Sequence, residues 1–272
     1  MSEPTVADSS EYVELEITTD GIAYVTMNRP AVHNCFNEDV IARLAEIFTD
    51  VGNQDGVRAM ILRARGKSFS AGADLEWMQR AAHFTEDQNE EDARALASMM
   101  AALDECPKPT IACVQGAAFG GGVGLVAACD IAIAAERAVF CLSEVRLGLL
   151  PAVISPFVVN AIGPRAARRY FLTAERFDAQ EAWRLGLVHK VVADEAALHA
   201  ACDALVEQFL QAGPEAIAAT KELIGEVAFV DPQDVRGYTA RAIAERRISD
   251  EGREGVTAFL EKRKPSWSSE RG

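Results

Sequence analysis

Two stretches of the chain could offer backbone N–H groups to a ligand. The first is Ser70-Ala71-Gly72-Ala73-Asp74, a run of small residues ahead of a helix. The second is Gly120-Gly121-Gly122-Val123-Gly124, which opens another helix. A helix start has unpaired N–H groups and a partial positive charge, and glycines let a bulky ligand approach the backbone closely. Two such N–H groups aimed at one oxygen form an oxyanion hole, which stabilises charge as it develops on a carbonyl. An acid, Glu144, follows a short β-rich run and precedes a Leu-rich segment. A lone acid there is ordinarily a surface residue or an ion-pair partner, here of Arg146. In an apolar pocket its pKa would rise, and it could give and take a proton near neutrality.

The surrounding pattern says what must hold these pieces. Tyr12–Ile17 and Ile22–Met27 are β-rich runs joined through Asp20-Gly21, a hairpin signal. Asn37 can cap a helix with Val40, Ile41, Leu44, Ile47, Phe48 and Val51 at helical spacing. Val57–Leu62 is a short apolar run expected to be a buried strand, and Gly66 to Leu75 is expected to be a loop. A long helix opens at the acidic run Glu86–Asp92 and stops before Pro107 and Pro109. Strands are expected at Thr110–Val114, Asp130–Ala134, Ala138–Cys141 and Val188–Val192. Asp178 with Glu181 resembles a capping box, and Gly186 suits the stop of that helix. From Asp194 the pattern is helical, with breaks near Gly213-Pro214 and Asp231-Pro232. Short strands alternating with helices imply an α/β core with parallel pairing. The expected division is a loose tail over 1–10, a core over 11–204 and a helical region over 205–272 that serves assembly.

Composition narrows the partners. The 272 residues carry a net charge of −14, which opposes binding to nucleic acid or to an anionic membrane. It also opposes long-range attraction of an anionic substrate, so a phosphate-bearing ligand must be held by local features. No apolar run reaches the roughly 18–20 residues of a membrane span. The N-terminus has no secretory signal pattern, and the cytoplasm is the expected compartment. The six cysteines read as buried free thiols. The four scattered histidines make no zinc pattern, and no metal is expected. Asp74 is expected to cap the helix that follows it, and Asp130 to be a buried structural hydrogen-bonding residue.

The stretch Ala71-Gly72-Ala73-Asp74-Leu75, the run Gly116 to Gly122 and Cys129-Asp130-Ile131 together resemble the crotonase (enoyl-CoA hydratase/isomerase) superfamily. Asn28-Arg29-Pro30, Ser143-Glu144, Leu147-Gly148 and Ala182 to Val188 also match. The resemblance spans about residues 12 to 267. It implies a crotonase-like spiral of ββα turns, a helical C-terminal region, and a homotrimer or dimer of trimers. It places the oxyanion hole at the N–H groups of Ala73 and Gly121, and the acid/base at Glu144. The substrate it implies is an acyl-CoA thioester, with coenzyme A as part of the substrate and no further cofactor. It assigns substrate and CoA contacts to Ala31, His33, Ala71, Gly72, Asp74, Leu75, Gly120, Gly124 and Lys262, the last from a neighbouring subunit.

Hydratases of the family usually carry two glutamates. One falls on Glu144; the other falls on Gly124. Gly122 to Val126 and Ser143 to Pro156 resemble a narrower branch that hydrates 3-methylglutaconyl-CoA or isohexenylglutaconyl-CoA. The space at Gly124 is expected to be open and filled by the substrate. A sole Glu144 also suits an enoyl-CoA isomerase. Two rivals from other classes remain: a non-catalytic CoA-binding protein, and a dinucleotide site read from Gly122-x-Gly124-x-x-Ala127 with Glu144 downstream.

Overall fold

The computed structural model describes residues 11–268; the tail expected over 1–10 lies outside the described residues. The hairpin forms as expected from β1 (Val13–Ile17) and β2 (Ile22–Met27). Helix α1 (Glu38–Asn53) starts where the Asn37 side chain accepts from the Val40 N–H. All six of its periodic apolar residues are at most 2% exposed. Each such side chain contributes roughly 1.5–3 kcal/mol by leaving water.

The chain continues through β3 (Ala59–Ala64), β4 (Ser68–Ser70), α2 (Leu75–Ala81) and α3 (Glu86–Asp104). Then come β5 (Thr110–Val114), β6 (Ala117–Phe119), α4 (Gly121–Ala128), β7 (Ile131–Ala135) and β8 (Val139–Cys141). The second half holds α5 (Ser155–Thr173), β9 (Phe177–Asp178), α6 (Ala179–Leu185), β10 (Lys190–Val192) and α7 (Glu195–Gln211). Helices α8 (Pro214–Val227), α9 (Arg236–Ile248) and α10 (Asp250–Glu261) complete it.

These strands build two sheets. One has six strands in the order β1-β2-β3-β5-β7-β10, parallel except for the β1–β2 hairpin. The other has four, β4-β6-β8-β9, parallel except for β9. Successive turns of the chain add one strand to each sheet. This is the spiral α/β architecture that the sequence predicts.

Several local expectations change. The segment from Gly66 to Leu75 contains a buried strand, β4, and the residues after Gly116 form another, β6. Both have three residues, too few to show a period. Asp130 is structural but exposed: its Oδ2 accepts from the Thr110 N–H and hydroxyl and from Lys221 Nζ. The Asp178 side chain accepts from the Glu181 N–H, but the Glu181 carboxylate accepts from Tyr170 and Arg184, so no reciprocal box forms. Cys35 is half-buried; the other five thiols are buried. Helix α7 runs across residues 204 and 205, and its Leu198, Cys202, Val206 and Leu210 are buried against the six-stranded sheet. Among the described residues, no helix is long and apolar enough to cross a membrane.

One buried polar residue ties the segment after β2 to β4. Asn34 adopts a left-handed φ of 54°. Its side-chain amide donates to the Arg65 and Ser68 carbonyls, and its Oδ1 accepts from the Arg29 N–H. Asn34→Ala removes these hydrogen bonds, one of them fully buried, and puts at a left-handed φ a residue that tolerates it less well than asparagine. The variant is expected to lose about 2–4 kcal/mol of unfolding free energy, read by urea titration. A loss under about 0.5 kcal/mol, the level of a surface change, would contradict this account.

Candidate active site

Three neighbouring strands of the small sheet deliver the site. β4, β6 and β8 run parallel, with Ser70 opposite Ala118 and Phe119 opposite Cys141. Their C-terminal ends therefore share one edge, the usual location of ligand sites in parallel sheets. Past β4 lies Ala71–Asp74, past β6 lies Gly120-Gly121, and past β8 lies Ser143-Glu144.

The first segment is fixed by Phe36. The Phe36 N–H donates to the Gly72 carbonyl at 2.7 Å, and the Asp74 N–H donates to the Phe36 carbonyl at 2.8 Å. Alternation along an extended segment turns the Ala73 N–H to the opposite side. Gly72 has a φ of +87°, and a Cβ there would lie 2.9 Å from the Phe119 carbonyl oxygen and 3.7 Å from the Gly121 nitrogen. Only glycine lets the two backbones approach this closely. Gly121 is the first residue of α4, so its N–H has no partner within the helix.

Glu144 opens a 3-10 helix, Glu144–Leu147, closed by Gly148. Its Oε1 lies 3.1 Å from where a Cβ on Gly120 would stand. Its Oε2 is buried and has no hydrogen-bond partner among the described residues. Among the described residues it makes no ion pair with Arg146. Burial pushes its pKa above the ordinary glutamate value.

These groups line one cavity of about 430 Å³. Of the residues singled out in the sequence, Ala71, Gly72, Ala73, Leu75, Gly120, Gly121 and Glu144 line it. Phe36, Trp77, Val153 and Ile154 also face it, and no local pattern marks them in the sequence. Leu75, Leu147, Leu149 and Leu150 line it while staying at least 54% exposed, which gives it an apolar rim. Among the described residues, Glu144 is its only titratable lining residue. A larger cleft of about 640 Å³, between α5 and α6, carries four arginines but none of these groups.

Other predicted contacts fall outside the cavity. Asp74 caps α2 by accepting from the Glu76 N–H, and its Oδ2 pairs with Arg29 at 2.9 Å. Its carboxylate is therefore committed, and it does not line the cavity as a substrate contact. Ala31 lies in an exposed 3-10 turn, and His33 is held by Ser68 Oγ at 3.0 Å. The His33 carbonyl accepts from the Ala71 N–H, which ties this turn to the site's edge. Lys262 caps the far end of α10, away from its own protomer's cavity lining. Gly124 is buried and also does not line the cavity. The expected open space beside it is taken by Ile154, whose Cγ2 would stand 2.3 Å from a Cβ there.

A family model described as enoyl-CoA hydratase/isomerase matches residues 17–270. The chain belongs to the enoyl-CoA hydratase/isomerase family. An enoyl-CoA hydratase structure from Shewanella pealeana superimposes with a TM-score of 0.91 at 46% identity, covering 94% of this chain and 96% of that one. The crotonyl-CoA hydratase of Syntrophomonas wolfei is 32% identical over 250 residues, 91% of this chain and 95% of the relative. The trans-2-decenoyl-[acyl-carrier-protein] isomerase of Streptococcus mutans is 29% identical over 251 residues, 92% of this chain and 95% of the relative. This family member thus resembles both hydratases and an isomerase along nearly its whole length.

The raised pKa of Glu144 has a consequence for stability. A carboxyl whose pKa rises on folding binds more protons in the native state. Stability therefore falls as pH climbs from the ordinary value of 4.5 through the raised one, and levels off above it. Glu144→Gln removes that slope. Relative to wild type, the variant is expected to gain thermal stability at about pH 8 and to lose that gain below about pH 4. Calorimetry across this range checks it; a difference independent of pH would mean that Glu144 is not desolvated.

Proposed function

We propose that the protein hydrates an α,β-unsaturated acyl-CoA thioester. The observation that carries this reading is the meeting of two glycine-bearing backbone segments with one desolvated carboxyl, its Oε2 without a hydrogen-bond partner among the described residues, in a single apolar cavity. In the proposed reaction the Ala73 and Gly121 N–H groups donate to the thioester oxygen. Water adds its oxygen to carbon 3, the double-bond electrons move onto the thioester oxygen, and the enolate then takes a proton at carbon 2. Glu144 accepts the proton from water and returns one to carbon 2. Each aligned N–H donor contributes about 3–4 kcal/mol to the transition state.

The finer proposal for the acyl group is a branched glutaconyl thioester; it rests on the resemblance over Gly122 to Val126 and Ser143 to Pro156 alone, since Ile154 fills the space at Gly124. Its distal carboxylate needs a cation. Arg29 is held by Asp74 and Arg80 by Glu38. Arg146 is exposed between two cavity-lining residues, Glu144 and Leu147, and is our candidate.

The lone carboxyl also favours a second reading, an isomerase in which Glu144 carries a proton between carbons 2 and 4. One experiment separates the two. Turnover of enoyl-CoA thioesters in ¹⁸O-labelled water is expected to give labelled 3-hydroxyacyl product. Glu144→Gln is expected to lower kcat by a factor on the order of 10²–10⁴. Double-bond migration without label would leave the isomerase standing, and near-normal kcat in the variant would remove Glu144 from either mechanism.

We also propose a homotrimer or dimer of trimers. Helices α8 and α9 contain no buried residue, and Ile224, Ile243 and Ile248 are more than half exposed. In such an assembly Lys262 would reach a neighbour's CoA, while Ala31 and His33 would flank the CoA of their own protomer. Light scattering at micromolar concentration is expected to give three or six times the 29.3 kDa chain mass; a stable monomer would refute the assembly.

A further inference from the structure

Gly124 lies three residues past Gly121 on α4, about 4.5 Å along the helix by its rise per residue. A Cβ at 124 would stand 2.3 Å from Ile154 Cγ2, 2.9 Å from Ile154 Cβ and 3.0 Å from Met100 Cε. Real carbon contacts do not reach such distances, so Ile154 already holds the volume that a side chain at 124 would need. Ile154 is itself pinned: it is 3% exposed, and its carbonyl accepts from the Val158 N–H at the start of α5. The two residues are complementary in size: position 124 cannot gain a side chain while Ile154 stays, whereas Ile154 can be shortened alone.

Ile154 also faces the cavity, which Gly124 does not. Gly120 is the N-cap of α4, and its carbonyl accepts from the Gly124 N–H one turn on. The carboxyl of Glu144 lies against Gly120. The wall one helical turn beyond that carboxyl is therefore a branched hydrocarbon. An acyl group whose thioester oxygen sits at the Gly121 N–H would present its third or fourth carbon at about this distance.

Resting on the thioester reading above, we propose that Ile154 is the specificity-determining residue of the acyl site. Its volume, not open space at Gly124, sets how much substitution at the β-carbon the cavity accepts. Ile154→Ala removes three carbons from this wall and leaves Glu144, Ala73 and Gly121 in place. Ile154→Val removes one and is the variant that preserves packing if the alanine destabilises the fold.

The test is equilibrium binding of two unreactive saturated thioesters, butyryl-CoA and 3-methylbutyryl-CoA, to wild type and both variants by calorimetry. The ratio of Kd for the straight chain to Kd for the branched chain is expected to rise on the order of tenfold or more in Ile154→Ala. A smaller rise is expected in Ile154→Val. A purely structural role would weaken both ligands together and leave the ratio fixed. A ratio within about twofold of wild type in both variants therefore overturns the proposal, even if hydration of enoyl-CoA is measured. A shifted ratio with no turnover of any enoyl-CoA supports Ile154 and sinks the hydratase reading instead.

Discussion

The parallel pairing of β4, β6 and β8 is the constraint on which the site depends. Parallel neighbours lie about 4.8 Å apart and point their C-terminal ends the same way. Three chain segments separated by some 50 and 25 residues thus end at one edge within two strand spacings. Each strand is followed at once by one part of the site: an extended amide, a helix start and an acid. The register leaves little freedom, because Ala118 pairs with both Ser70 and Phe140. The Gly120 N–H donates to the Cys141 carbonyl and extends that pairing to the edge.

Backbone positioning also explains how so acidic a chain can be suited to a charged transition state. The electropositive elements at the cavity are amides and the start of α4, not cationic side chains, since among the described residues no Lys or Arg lines it. Such dipoles act over short range and need no counter-charge, so the net −14 outside has little hold on them. The apolar lining also raises the pKa of Glu144 by desolvation.

The helices divide by what they bury. Helix α7 belongs to the core, because it covers one face of the six-stranded sheet. Helices α8 and α9 contain no fully buried residue, and Ile224, Ile243 and Ile248 stay more than half exposed on them. They attach through polar links: the Glu251 carboxylate accepts from the Glu215 and Ala216 N–H groups and pairs with Arg246. Arg58 donates to the Phe209 and Ala212 carbonyls at the end of α7 and to the Trp267 carbonyl, joining the C-terminus to the sheet.

The sequence by itself determined the elements whose signals are local. The Asn37 cap and periodic face of α1, the Asp20-Gly21 hairpin and the Thr110–Val114 strand all have periods or turn residues long enough to read. The amide segments and Glu144 were legible too, because small residues before helices and a matching acid form a pattern of residue types. Tertiary structure alone decided the rest. β4 and β6 are three residues each and exist through pairing within the small sheet, so no periodicity could announce them. The side chain that fills the space at Gly124 comes from Ile154, 30 residues away in sequence. A glycine declares that a side chain is missing, but which neighbour takes its volume is settled by close packing between elements that the chain order does not bring together.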